Sequence, residues 1–196
     1  MPPHLDFRQL RMVVVHPRDH DGELLIRHLQ RLGGGVDNVW PPGRTLEGGA
    51  DVLLCLVDPA ARALLQEAAT APSGPAVVGI IDPRQSASLQ LLHEATPHAV
   101  ISRPFDAATL IPNLVVARNN LRYQRRLLSK VAKLEETLRS YRKVEQAKAI
   151  LMEKRKIGEP EAYSFLRDQA MRRRVPISVI AAAVVESNEM LPGDTE

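Results

Sequence analysis

The chain has 196 residues, 44% of them hydrophobic and 25% charged, which is enough for one large domain or two small ones with buried cores. Its single cysteine, Cys55, excludes an intramolecular disulfide and fits a reduced, cytoplasmic setting, and the formal net charge is +3. No run approaches the roughly 18 apolar residues of a membrane helix, and no apolar signal segment opens the chain, so we expect a cytoplasmic protein without membrane contact.

Short, continuous apolar runs alternate with helical patterns over residues 1–116. The runs predict strands near residues 12–15, 36–40, 51–57, 76–81 and 99–102, and the patterns between them predict helices over 23–32, 60–69 and 86–94. Continuous rather than alternating apolar strands are typical of a parallel sheet that is covered on both faces. The first domain is therefore predicted to be α/β, with a doubly wound parallel sheet.

From residue 107 onward the pattern is helical, and over residues 117–141 it predicts a coiled-coil dimerisation helix. The apolar side chains step by four and three residues, which is the spacing of a coiled-coil seam: Leu127, Val131, Leu134, Leu138 and Tyr141. Upstream the seam weakens to Ala117, Asn120 and Gln124. The alternative is a long helix that packs on its own domain. We expect a homodimer.

Residues 142–187 predict a small all-α domain of three helices. We expect Gly158 to stop the first helix and Pro160 to lie in the first turn of the second. Pro176 has the same position before the third helix. Residues 188–196 are predicted to be a flexible tail.

Charge divides the chain more clearly than its total suggests. Residues 1–116 hold nine arginines, no lysine and twelve acids, whereas residues 117–196 hold seventeen lysines and arginines against eleven acids. This asymmetry indicates an anionic partner for the second part. The alternative is an ordinary solvated, charged helical surface.

The order of strands and helices in residues 10–116 resembles the receiver domain of two-component response regulators. Ser102-Arg103-Pro104-Phe105 after the last strand is similar to the Lys-Pro-Phe signature of that family, with arginine in the place of lysine. The resemblance implies a receiver fold.

Phosphoryl transfer in a receiver needs acids for Mg²⁺, an aspartate nucleophile, a hydroxyl and a lysine. Here His16-Pro17 stands at the acid pair, Leu56 at the phosphoacceptor and Ile80 or Ile81 at the hydroxyl. No lysine precedes Lys130, and arginine is not an equivalent substitute. We therefore predict a pseudo-receiver without a phosphoacceptor.

An alternative assigns Asp58 as the acceptor, with Asp19 and Asp21 as metal ligands.

Elsewhere the chain has no zinc-ligand spacing, phosphate-binding glycine loop or nucleophile elbow. We accordingly predict no catalytic residue, no metal, no cofactor and no enzymatic activity.

The stretch Glu145-Gln146-Ala147-Lys148, followed by Leu151-Met152, Ala162-Tyr163, Leu166 and Ala170, resembles the ANTAR domain, a three-helix RNA-binding module of bacterial antitermination regulators. With the pseudo-receiver and the seam, the chain is similar to the family of antitermination regulators of aliphatic amidase operons. The resemblance implies binding to leader-mRNA stem-loops. It also implies control by a ligand-sensing negative regulator, an amide sensor resembling a periplasmic binding protein.

Polar side chains off the predicted apolar faces are the candidate RNA contacts, since lysine and arginine neutralise phosphates and glutamine can bond base edges. They are Lys143, Gln146, Lys148, Arg172, Arg173 and Arg174. Lys148 is expected to be exposed, and Tyr163 could either stack on a base or pack in the core.

Two rival functions remain open from the sequence. Residues 160–186 could be a DNA-binding helix-turn-helix, although the third helix has few base-reading side chains. The chain could also act as a phosphorelay partner, which the missing acceptor site disfavours.

Overall fold

A computed structural model describes residues 7–46 and 48–190, with the side chains of residues 86 and 87 excepted. The chain divides into two compact units, one ending at Arg126 and the other beginning at Leu127. The first contains a five-stranded sheet and the second contains helices only. No helix within the described residues is long and apolar enough to cross a bilayer.

The first unit has the predicted α/β fold. All strand pairs are parallel, in the order β2-β1-β3-β4-β5. The strands are β1 Arg11–Val15, β2 Gly35–Asn38, β3 Val52–Leu56, β4 Ala76–Ile81 and β5 Ala99–Ser102. The helices are α1 His20–Arg31, α2 Arg62–Thr70, α3 Ser86–Ala95 and the start of α4 Ala107–Arg155, with 3-10 turns at Phe7–Gln9 and Pro59–Ala61.

The sheet is covered on both faces because successive strand residues point to opposite sides. Met12 and Val14 of β1 pack in a cluster with α1 and α4, whereas Val13 and Val15 pack with α2 and α3. This arrangement explains the continuous apolar runs that the sequence shows, and it leaves the polar residues that follow the strands at the carboxyl edge of the sheet.

The first part of α4 packs on the sheet through the residues that weaken the predicted seam. Ala117 is buried, and the Asn120 side chain donates to the His98 carbonyl at 2.8 Å. The Nδ1 atom of His98 accepts from the Val77 amide at 2.9 Å, and its Nε2 atom lies 3.0 Å from Gln124 Oε1. We assign the proton to Nε2, and burial lowers the pKa of His98. The first unit thus extends to residue 126, past the predicted boundary at 116.

The second unit comprises the rest of α4, α5 Glu159–Arg173 and α6 Ile177–Met190. Their apolar faces share one core, formed by Val144, Ala147, Leu151, Ala162, Leu166, Ala170, Ile180 and Ala181. This is the predicted three-helix arrangement, since each short helix buries its face against the other two.

Two helix boundaries differ from the prediction. Gly158 does not end α4; the left-handed residue after the helix is Lys156, with φ 55°. Gly158 instead caps α5, and its amide donates to Glu161 at 3.2 Å, because Pro160 in the first turn sets the helix start there. Helix α6 continues to Met190, since no glycine or proline intervenes after Pro176, and residues 191–196 of the predicted tail lie outside the described residues.

Candidate functional site

Arg103 lies at the carboxyl edge of the sheet among three carboxylates. Its Nη2 atom lies 3.3 Å from Asp82, and its Nη1 atom lies 3.6 Å from Asp19 and 3.9 Å from Asp21. The three acids follow β1 and β4, and Arg103 follows β5, so parallel strands bring them to one edge. The guanidinium therefore supplies positive charge to these acids from within the chain.

The sequence reasoning did not single out Asp82, although its position directly after β4 could have indicated it. Asp19 and Asp21 do reach this edge, but they face an arginine. Asp58 uses its carboxylate to accept from the Ala60 amide at 2.9 Å, and in the described residues it forms no ion pair. No cluster of three or more metal-ligating side chains is found in the ranges 7–46 and 48–190.

His16 stands where the resemblance to receiver domains implies an acid. Its ring is fully buried, its Nδ1 atom lies 2.9 Å from the Pro17 carbonyl, and Phe105 packs edge-on with a centroid distance of 5.9 Å. Its Nε2 atom has no hydrogen-bond partner in the described structure. Cys55 is likewise buried, and burial together with the nearby Asp58 raises the pKa of its thiol to about 12, which favours the protonated thiol at neutral pH.

In the second unit, most candidate RNA contacts are available to a partner. The exposed members are Lys143, Gln146, Arg172, Arg173 and Arg174. Tyr163, whose role was open, is 47% exposed on α5. These side chains can therefore reach a nucleic acid without disturbing the core.

Lys148 is the exception, and the prediction that it is exposed is wrong. Only 8% of the residue is accessible. Its Nζ atom lies 2.6 Å from Glu159 and 2.9 Å from Glu145. Hydrogen bonding to Glu159 and then Glu145 raises the pKa of Lys148, and the same lysine lowers the pKa of Glu159.

The reason lies in the packing of α4 against the start of α5. Lys148 follows the fully buried Ala147, so its side chain emerges at the edge of the packed face and meets the first residue of α5. Sequence periodicity located this edge but could not show that α5 begins beside it. The geometry supports a structural role for Lys148, which holds α4 to α5.

Two of the candidate residues line different hollows of the second unit. Arg173 lines a cavity together with Lys154 and Arg155, whereas Lys143 lines a separate hollow with Ser178 and Val179. The basic surface of this unit thus has at least two distinct parts.

The predicted seam is exposed along the second unit. Leu127, Val131, Leu134, Leu138 and Tyr141 are each between 43% and 64% accessible. Such large apolar side chains on one stripe of a helix are typical of a surface that another chain covers.

Comparison with known proteins agrees with this organisation. The sequence profile described as AmiR, N-terminal, matches residues 10–118, and the ANTAR domain profile matches residues 132–185. The aliphatic amidase regulator of Pseudomonas aeruginosa is 32% identical over 180 residues, covering 89% of this chain and 90% of that protein.

Two further similarities cover only part of the chain. The transcriptional regulatory protein PdtaR of Mycobacterium tuberculosis is 33% identical over 94 residues, which span 48% of this chain and 46% of that protein. Among solved structures, the receiver domain of a modulated diguanylate cyclase from Desulfovibrio desulfuricans G20 is 18% identical and covers 59% of this chain and 99% of that one, with a TM-score of 0.45. The two profiles and the nearly full-length relative together cover both units: the chain belongs to the family of ANTAR-domain transcription antitermination regulators with an AmiR-type N-terminal domain.

Proposed function

We propose that this regulator binds stem-loops of leader mRNA through its second unit and thereby prevents formation of a terminator. The ANTAR match defines the module, and the charge of that module supports an anionic ligand. The protein would act by binding alone, without catalysis.

The observation that carries this proposal is the state of the cations in residues 127–190. Thirteen lysines and arginines lie in this segment, and in the described structure only Lys148 forms an ion pair with a carboxylate. The other twelve have no carboxylate partner among the residues that the structure describes. Unpaired cations on a compact helical unit are available to neutralise RNA phosphates.

Dimerisation through α4 is the second part of the proposal. The steps of four and three residues assign Val131 to an a position and Leu134 to a d position, a combination typical of two parallel strands, and they assign Leu138 to the next a position. In a parallel, in-register pair, Lys130 at g would meet Glu135 at e of the other chain. Neither residue has an ion-pair partner within the described part of its own chain. A second copy of this chain is therefore the occupant that the seam fits.

We further propose that a ligand-sensing protein, an amide sensor, binds the pseudo-receiver and controls RNA access. The internal ion cluster around Arg103 supports control that is independent of phosphoryl transfer. Exposed apolar side chains of the first unit, including Trp40 and Leu89, are available to such a partner.

The test compares two nucleic acids of matched sequence content. The full chain is titrated with a pool of RNA stem-loops that carry randomised loops and, separately, with duplex DNA carrying the same random segment. We expect the RNA pool to yield bound hairpins at submicromolar protein and the DNA to bind only weakly and without selection. Selective, tight binding of the DNA would overturn the proposal.

The helix-turn-helix rival receives little support from the described helices. Helix α6 would have to enter the major groove, yet it contains no lysine or arginine and carries Glu186 and Glu189. Because phosphate contacts dominate DNA affinity, such a helix is poorly suited to recognition.

A further inference from the structure

Arg173, Lys154 and Arg155 line one cavity of the second unit together with apolar and amide side chains. Its volume is about 420 Å³, within the range of roughly 300–1,000 Å³ that is usual for ligand pockets. Its lining residues come from α4, α5 and α6 and include no aspartate or glutamate. A cavity with three cations and no acid favours an anionic ligand.

The wall of the cavity is apolar and continuous with the core of the second unit. It includes Leu151 and Ile180 of the core, together with the half-buried Phe165. The guanidinium carbon of Arg155 lies 4.1 Å from the centre of the Phe165 ring, so the ring orients the guanidinium plane. An apolar wall beside an oriented guanidinium suits a planar aromatic group, which can pack against the wall and stack on the guanidinium.

Polar side chains complete the lining. Gln169 and Asn188 are half-buried there, and neither side chain forms a hydrogen bond in the described structure. Amide side chains both donate and accept, and this is the chemistry needed to pair with a base edge. The cavity thus offers an apolar wall, a cationic rim and free amide groups within one small volume.

We propose that this cavity receives one unstacked nucleotide of the bound RNA. Its base would lie against the apolar wall, and the adjoining phosphate would contact Arg173 and Lys154. An unpaired loop nucleotide has each of the required parts: a planar base, hydrogen-bonding edges and an anionic phosphate. The inference rests on the proposed RNA binding and adds to it the element that would recognise a particular base.

The experiment uses a hairpin selected from the randomised-loop pool and a set of derivatives in which each loop base in turn is replaced by an abasic site. The pocket variant is the Gln169→Ala, Arg173→Ala double substitution. Arg172→Ala is the matched control, because Arg172 is exposed on the same helix and does not line the cavity. Circular dichroism melting verifies that each variant folds.

We expect the pocket variant to bind the unmodified hairpin at least roughly tenfold more weakly, the size typical of losing a stacked base. On one abasic derivative, the pocket variant should lose much less affinity relative to the unaltered protein. The reason is that the missing base and the altered pocket remove the same interaction. The control should lose a similar factor on the unmodified and the abasic hairpins.

Equal losses for the pocket variant on the unmodified hairpin and on every abasic derivative would overturn the pocket, and so would unchanged affinity in a folded variant. In either case hairpin binding by the unaltered protein would leave the proposed function standing. If the pool yielded no hairpin, the proposed function itself would fail. If free nucleoside monophosphates bound the unaltered protein with the same affinity as the selected hairpin, the cavity would be assigned to a small molecule instead of RNA.

Discussion

The carboxyl edge of the first unit and the helical surface of the second unit treat their charged side chains in opposite ways. At the carboxyl edge of the first unit, Arg103 lies within ion-pair distance of Asp19, Asp21 and Asp82. In the second unit, Lys148 alone is paired with carboxylates among the described lysines and arginines. An excess of cations therefore indicates an anionic partner only when those cations are not already paired with carboxylates in the fold. The cluster around Arg103 uses its charges within the fold, whereas most of the described cations of the second unit have no carboxylate partner.

The largest expected effect tests whether the exposed apolar seam of α4 is covered by a second copy of the chain. The Val131→Asp, Leu138→Asp double substitution places charges on the seam, and we expect dimerisation to weaken by roughly 100-fold or more, about 3 kcal/mol. Light scattering should then give the monomer mass. Ala132→Asp, which is exposed but off the seam, is the control and should leave the mass unchanged. An unchanged mass in the seam variant would contradict the coiled-coil assignment.

The next prediction removes the internal cation of the first unit. Arg103→Ala should lower the free energy of unfolding by about 1–3 kcal/mol, because three carboxylates lose their charged partner. Mg²⁺ should raise the melting temperature of this variant but not that of the unaltered chain, since carboxylate oxygens suit that ion. Arg84→Ala, which removes an exposed arginine without an ion pair in the described structure, serves as the control. If Arg103→Ala melted normally and ignored Mg²⁺, the carboxylates would not depend on Arg103.

The third prediction concerns the paired cation of the second unit. Lys148→Met should lower the melting temperature at neutral pH, because Glu159 and Glu145 lose their partner. The pKa of Glu159 is lowered from its ordinary value of 4.5, so this stabilisation is complete above that value and fades as the pH falls through the lowered pKa. The gap between variant and unaltered chain should therefore narrow on acidification. Melting curves measured across that range provide the check.

A matched control and a second measurement make the Lys148 prediction specific. Lys143→Met alters an exposed lysine of the same helix and should leave the melting temperature unchanged. At a temperature where Lys148→Met is folded, its hairpin affinity should equal that of the unaltered chain. A large loss of affinity in the folded variant would return Lys148 to the RNA surface.

A smaller effect is expected from a single free cation. Arg172→Ala should weaken hairpin binding modestly and reduce the slope of log affinity against log salt by roughly one unit, since one phosphate contact is lost. Filter-binding titrations at several salt concentrations give the slope. A slope identical to that of the unaltered chain would exclude a phosphate contact by Arg172.

The last expected effect is zero. Incubation with acetyl phosphate and Mg²⁺ should leave the protein unphosphorylated, because Leu56 stands at the acceptor position and Asp58 caps a 3-10 turn. Intact-mass spectrometry is the measurement. An aspartyl phosphate at Asp58 would show that the first unit is a working receiver.

The sequence by itself determined the order of elements, because strand runs and helical periodicity are local patterns. It also indicated the seam, through its steps of four and three residues, and the ANTAR motif around Ala147. These features follow from the spacing of residues along the chain and do not depend on which residues they contact in the folded protein.

Only the tertiary structure decided which charges remain free. Arg103 meets acids that are about 20 to 80 positions away, and Lys148 meets the first residue of the next helix. Asn120 and Gln124, which weaken the seam, instead contact His98 of the first unit. The cavity is lined by residues of three helices. Such pairings depend on distances across the fold, and because ion pairing and burial act over a few ångströms in space, no pattern along the chain encodes them.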